Sequence, residues 1–231
     1  MRFSFDLPAW HAGVLADLRA ALGSSVMIEN DVNLAALAEH SSGAARGVDD
    51  FVLVWAGVGQ GLGVMLGSRL HRGFTGGAGE IGWLPVPGEP LPVDVTEPQS
   101  GSFQRLVGLA AVIDLAREHG VPVAPTAAEI VHIAVTGDCA PFLDALALRL
   151  AIGVAAVTVV LDPRLVVLSG DVGRAGGAAL ATRVEEAVSR ICPSRPRVTV
   201  TEVPGDPVLH GALTAALAQA REEVFSSTVD A

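Results

Sequence analysis

"ENDVNLAALAEHSSGAARGVDDFVLVWAGVGQGLG", Glu29–Gly63, decides the fold class. Asn30 and Asp31 are both favoured helix N-caps, so a helix is expected over "DVNLAALAEHSSGAARG", closing near Gly43 or Gly47. "FVLVWAGVG" follows as a strand too apolar to keep one wet face, which calls for a sheet covered on both sides. "SVMIEN", just upstream, reads as a short buried strand. Asp31 would then open a helix at the carboxyl end of a strand, where α/β sheets expose functional groups. A carboxylate there can take a proton from a sugar hydroxyl, or it can simply cap the helix.

The pattern continues on both sides. Val14, Leu15, Leu18 and Leu22 have helical spacing, ended by Gly23. "GLGVMLGSRLHRG" reads as a strand, a tight turn at Gly67-Ser68 and a return strand. Residues 84–102 contain five prolines and predict an extended loop. Helices are expected over 103–119, 126–136, 141–161, 174–191 and from Pro207 to about Arg221, interrupted by the strands "RLVVLSG" and "RVTVTEV". Strands alternating with helices define an α/β class.

Composition narrows the function. The chain has 231 residues, half of them apolar and 17% charged, enough for a real core and against general disorder. A net charge of −10 with no basic run argues against direct grip on nucleic acid. Cys139 and Cys192 have no Cys-x-x-Cys partners and read as inert thiols. The apolar run 150–161 is shorter than the roughly 20 residues of a membrane span. The amino-terminal residues lack the apolar stretch of a signal peptide, so a cytoplasmic protein without membrane attachment is expected.

Taken in order, "IENDVNLAALAEH", "GVGQGLG", "GEIGW", "LDPRLVVLSGDVGRAGG" and "GDPVLHGALTAAL" resemble the signatures of the ROK family of repressors, open reading frames and sugar kinases. The resemblance implies an actin-like, sugar-kinase (ribonuclease H-like) ATPase fold with a sugar cleft between two α/β lobes. In it Asp31 corresponds to the catalytic base of the kinases, and Asn30 and Glu80 to sugar-hydroxyl ligands. Gly57, Gly59, Gly61 and Gly63 correspond to a phosphate loop, and Gly170 to the nucleotide-side turn. It also implies a division into 1–47, the remnant of an N-terminal lobe, 48–206, a C-terminal α/β lobe, and 207–231, a helix packing back on the N-terminal lobe.

The departures bear on function. Val58 stands where the kinases carry Thr, and removes a hydroxyl from the phosphate loop. Trp83 replaces a His that binds sugar and zinc in many members, and is left as either a sugar-stacking platform or a core residue. Residues 84–102 contain neither Cys nor His, so no zinc is expected. Gln104 falls at a sugar-contacting Glu and keeps hydrogen-bonding capacity. Neither the Asp-x-Gly-Gly-Thr opening of the kinases nor the winged helix-turn-helix of the repressors occurs, which implies a C-terminal portion truncated in its N-terminal lobe. Missing strands would leave sheet edges, hence an expected homodimer or higher oligomer.

Three functions follow as expectations. The favoured one is the sugar-sensing part of a repressor-type ROK regulator, with Asn30, Asp31, Glu80, Trp83 and Gln104 around a sugar effector. Its glycine loop would be a relic, and DNA would be reached only through a domain outside this sequence. The second is a sugar kinase, with Asp31 as base and ATP and Mg as cofactors. The third is a ligand-free interaction module.

Overall fold

A computed structural model describes residues 11–229. Helix α1 (His11–Leu22) precedes α2 (Asp31–Ser42). Strands β1 (Phe51–Ala56), β2 (Gln60–Leu66) and β3 (Arg69–Leu70) form an antiparallel meander. After the Pro-rich loop come α3 (Ser102–Val107), α4 (Leu109–Glu118), α5 (Ala127–Thr136) and α6 (Ala140–Leu161). Then follow β4 (Leu165–Ser169), α7 (Gly170–Ile191), β5 (Arg197–Val200) and α8 (Pro207–Val229). The sheet runs β3-β2-β1-β4-β5, with β4 parallel to both β1 and β5. This is the mixed α/β sheet of the actin-like ATPase fold.

Strand β1 explains why the sheet needs cover on both faces. Val52, Val54 and Ala56 join Leu62, Val64, Val166 and Leu168 in a large core built with α3 to α7, including Phe103 and Phe142. Phe51 and Leu53 point the other way, into a smaller core with Met65, Leu165, Val167 and α2. Helix α2 comes close because it offers Ala35 and Ala36 to a strand that offers glycine. A Cβ on Gly61 would lie 2.7 Å from Val32 Cγ2, and one on Gly63 would lie 2.7 Å from Ala36 Cβ. The outer side of α2 is covered by α8, where a Cβ on Gly211 would fall 1.8 Å from the Leu34 carbonyl oxygen. So the segments assigned to 1–47 and 207–231 meet through α2 and α8.

Several boundaries differ from expectation. Residues 25–30 form no strand, and Met27 and Ile28 are 48% and 40% exposed. Among the described strands none pairs with this apolar run, and propensity alone does not make a strand. The helix predicted over 103–119 is two helices, because extended Gly108 interrupts it. Helix α7 begins at Gly170 rather than 174 and breaks at Gly177 (φ 52°), and α8 runs on to Val229. The apolar run 150–161 belongs to the 22-residue α6, long and apolar enough by length to cross a membrane. Its Phe142, Leu143, Leu146, Leu150 and Val154 lie in the larger core, so burial in the protein accounts for its composition.

Candidate sugar-binding site

The site starts from the amino end of α2. Asn30, not Asp31, is the cap: its Oδ1 accepts from the amides of Val32 (2.9 Å) and Asn33 (3.1 Å). Asp31 is the first helical residue and is exposed, with its Oδ1 accepting from its neighbour's amide, Val32 N–H, at 2.8 Å. Because Asn30 performs the capping, capping does not account for the Asp31 carboxylate.

Asn30 and Asp31 face a cavity of about 240 Å³, whose other walls include Trp55, Gly59, Gly61 and Glu80. Glu80 is brought there by the loop that follows β3. That loop returns to β2 at Gly79, whose carbonyl accepts from Leu62 N–H at 2.7 Å. Gly79 has φ +101°, and a Cβ on it would lie 1.9 Å from the Leu62 carbonyl oxygen, so only glycine allows so close a return. Among the described lining residues there are two carboxylates and no Lys or Arg. Such walls accept hydrogen bonds from hydroxyls and disfavour anions, as a neutral polyhydroxylated ligand requires.

Other expected site residues are placed elsewhere. Gln104 is buried outside this cavity, its Nε2 donating to the Val58 carbonyl (3.0 Å) and to Gln99 Oε1 (2.8 Å). It braces the β1–β2 turn from behind, which corrects its expected position facing a ligand. Trp83 ends a short 3₁₀ turn, Ile81–Trp83, is half-buried, and is not among the described lining residues.

The glycines divide by role. Gly61 and Gly63 admit α2 onto the sheet, whereas Gly59 is exposed and a Cβ there would meet nothing within 4 Å. Gly57 and Gly170 meet at the carboxyl ends of the parallel strands β1 and β4. There Gly170 has φ +75°, and a Cβ on it would lie 2.4 Å from the Ala56 carbonyl oxygen. Helix α7 starts at this point without a side-chain cap, so its amino end retains the positive pole that anions favour. Val58, at the tip of the same turn, is 82% exposed and supplies no hydroxyl. Residues 84–102 hold neither Cys nor His, and among the described residues no group of three His, Cys, Asp or Glu side chains converges.

Three residues were missed by sequence reasoning. Trp55 reads only as part of an apolar strand, yet it is partly buried and lines the cavity. Glu29 accepts from Asn30 N–H (3.1 Å) and Asn33 Nδ2 (2.9 Å), and pairs with Arg72 Nε at 2.5 Å. No local spacing rule links Glu29 to Arg72, because the β-meander brings them together.

The comparisons agree with this architecture. The ROK family model matches residues 7–218. The bifunctional enzyme NanE/NanK of Brucella melitensis is 35% identical over 193 residues, covering 81% of this chain and 34% of that protein. The chain thus spans about a third of that relative's length, and further curated matches include glucokinases. The ROK hexokinase of Thermus thermophilus superposes with TM-score 0.74 at 28% identity, covering 90% of this chain and 70% of that one. A ROK transcriptional regulator homologous to the E. coli MLC protein superposes with TM-score 0.70 at 19% identity, over 86% and 53%. That last likeness speaks for the fold alone. With the family model spanning most of its length, this chain belongs to the ROK family.

Proposed function

We propose that this chain is the sugar-binding portion of a ROK-family transcriptional regulator of repressor type, with a neutral monosaccharide as effector. One observation carries the reading. The hydroxyl-accepting carboxylates of Asp31 and Glu80 share one cavity with Asn30, while the adjoining turn presents the bare side chain of Val58. Phosphoryl transfer depends on positioned charge stabilisation around the phosphate, and hydroxyl recognition does not. A cavity of about 240 Å³ falls below the usual 300–1,000 Å³ of small-molecule sites, in keeping with a ligand of monosaccharide size. In this reading no zinc or nucleotide takes part, the chain acts as a homodimer or higher oligomer, and DNA is reached through a winged helix-turn-helix outside this sequence. The effector acts by binding one arrangement of that assembly more tightly than the other.

Calorimetry with D-glucose, D-xylose and N-acetylglucosamine tests the reading. Binding of at least one, weakened about tenfold or more by Asp31→Asn and by Glu80→Gln, is the expected result. Flat titrations with all three for the wild-type chain would set the reading aside.

A second reading, an ATP-dependent sugar kinase with Asp31 as base, is favoured by the exposed Asp31 carboxylate and by the likeness to glucokinases. Incubation with ATP, magnesium and each sugar, followed by mass spectrometry, separates the two. A sugar phosphate that disappears in Asp31→Asn selects the kinase.

A further inference from the structure

The loop from Arg72 to Ala78 closes on itself. Ala78 N–H donates to the Arg72 carbonyl (3.3 Å), and Gly73, at φ +69°, lies against Ala78. Its tip, Phe74, is exposed, and its neck leads directly into Gly79 and Glu80, one wall of the candidate cavity. The opposite wall is the amino end of α2. One side chain bridges the two. Glu29 receives Arg72 on one oxygen and Asn30 N–H and Asn33 Nδ2 on the other, with its side chain only 9% exposed against 49% for Arg72. Asn33 is itself buried, so the network is anchored in the protein. The same pair lines a second cavity of about 350 Å³ together with Met27, Ile28, Phe74 and Thr75.

We propose that Glu29 and Arg72 are positioning residues that fix the separation of the two cavity walls, holding the Asn30–Asp31 turn opposite Glu80. The consequence for ligand affinity rests on the sugar-binding reading above, whereas the consequence for the free protein does not. A nearly buried carboxylate serving three donors is costly to leave without its cation, so the pair acts as one unit. Arg72 meets Glu29 through a single nitrogen, so a lysine at 72 can replace its charge.

The test compares wild type with Arg72→Ala, Glu29→Gln and Arg72→Lys, without ligand and then with D-glucose, D-xylose and N-acetylglucosamine. Without ligand, amide hydrogen exchange over residues 30–34 is expected to accelerate about fivefold to tenfold in Arg72→Ala and Glu29→Gln, and less than about threefold in Arg72→Lys. Exchange in α6 should not change, and the thermal midpoint should move by no more than about 2 °C. With a bound sugar, affinity should fall about fivefold to tenfold in the first two variants and recover in Arg72→Lys. Unchanged exchange over 30–34 in Arg72→Ala overturns the proposal whatever the sugars do. Accelerated exchange together with flat sugar titrations of the wild type upholds the positioning role and removes the sugar reading instead.

Discussion

Asp31 and Glu39 sit about two turns apart on one helix and have opposite surroundings. Glu39 is fully buried at the carboxyl end of α2, accepting from Ala44 N–H (2.8 Å), Glu202 N–H (3.4 Å) and the Thr201 hydroxyl. It ties the helix to the segment that follows β5. Asp31 is exposed, accepts among the described residues from its neighbour's amide, and borders a cavity. Local chemistry at the two positions is similar, so the difference comes from what the fold packs against each. A carboxylate whose acceptors are filled by the protein holds structure, and one left facing a cavity is available to a ligand.

The sharpest break in that comparison is Glu39→Ala. Three donors would lose their acceptor inside the protein, and a loss of about 3 kcal/mol in urea unfolding is expected, with no direct effect on the site. The glycines give the next effect. Gly63→Ala drives a Cβ against Ala36 and the Val32 carbonyl and should cost about 2 kcal/mol, while Gly59→Ala, in open space, should stay within about 0.5 kcal/mol. Equal losses for the two would mean that the whole loop is one structural unit. Asp31→Asn comes third, leaving unfolding within about 0.5 kcal/mol while sugar affinity drops about tenfold. Smallest of all is Val58→Thr at an exposed tip. It should leave stability unchanged and produce no ATP-dependent sugar phosphate by mass spectrometry, because one hydroxyl does not assemble a phosphoryl-transfer site.

The sequence carried the class and several residues of the candidate cavity for physical reasons that can be named. β1 is apolar at every position, so a doubly covered sheet followed directly, and the Gly67-Ser68 turn fixed the hairpin. Asn30, Asp31 and Glu80 were legible because short motifs placed them, although only tertiary structure could show that Asn30 rather than Asp31 caps α2. Gln104 shows the limit. Its side chain could serve a ligand or the backbone of the β1–β2 turn, and the fold directs it to the Val58 carbonyl. Strand propensity at 25–30 did not yield a strand, since no described strand pairs with it, and Trp55 escaped notice because a strand apolar throughout does not tell which residue will border a cavity.

Ligand mapping by NMR on the isotopically labelled chain tests the central claim most directly. D-glucose, D-xylose and N-acetylglucosamine would each be titrated while the backbone amide resonances are followed. The account predicts that at least one of them shifts a cluster comprising Val32, Asn33, Gly61 and Gly79, around the cavity bounded by Asp31 and Glu80. Shifts confined to another surface, such as the groove beside Arg105 and Arg149, or no shifts with any of the three, would contradict it.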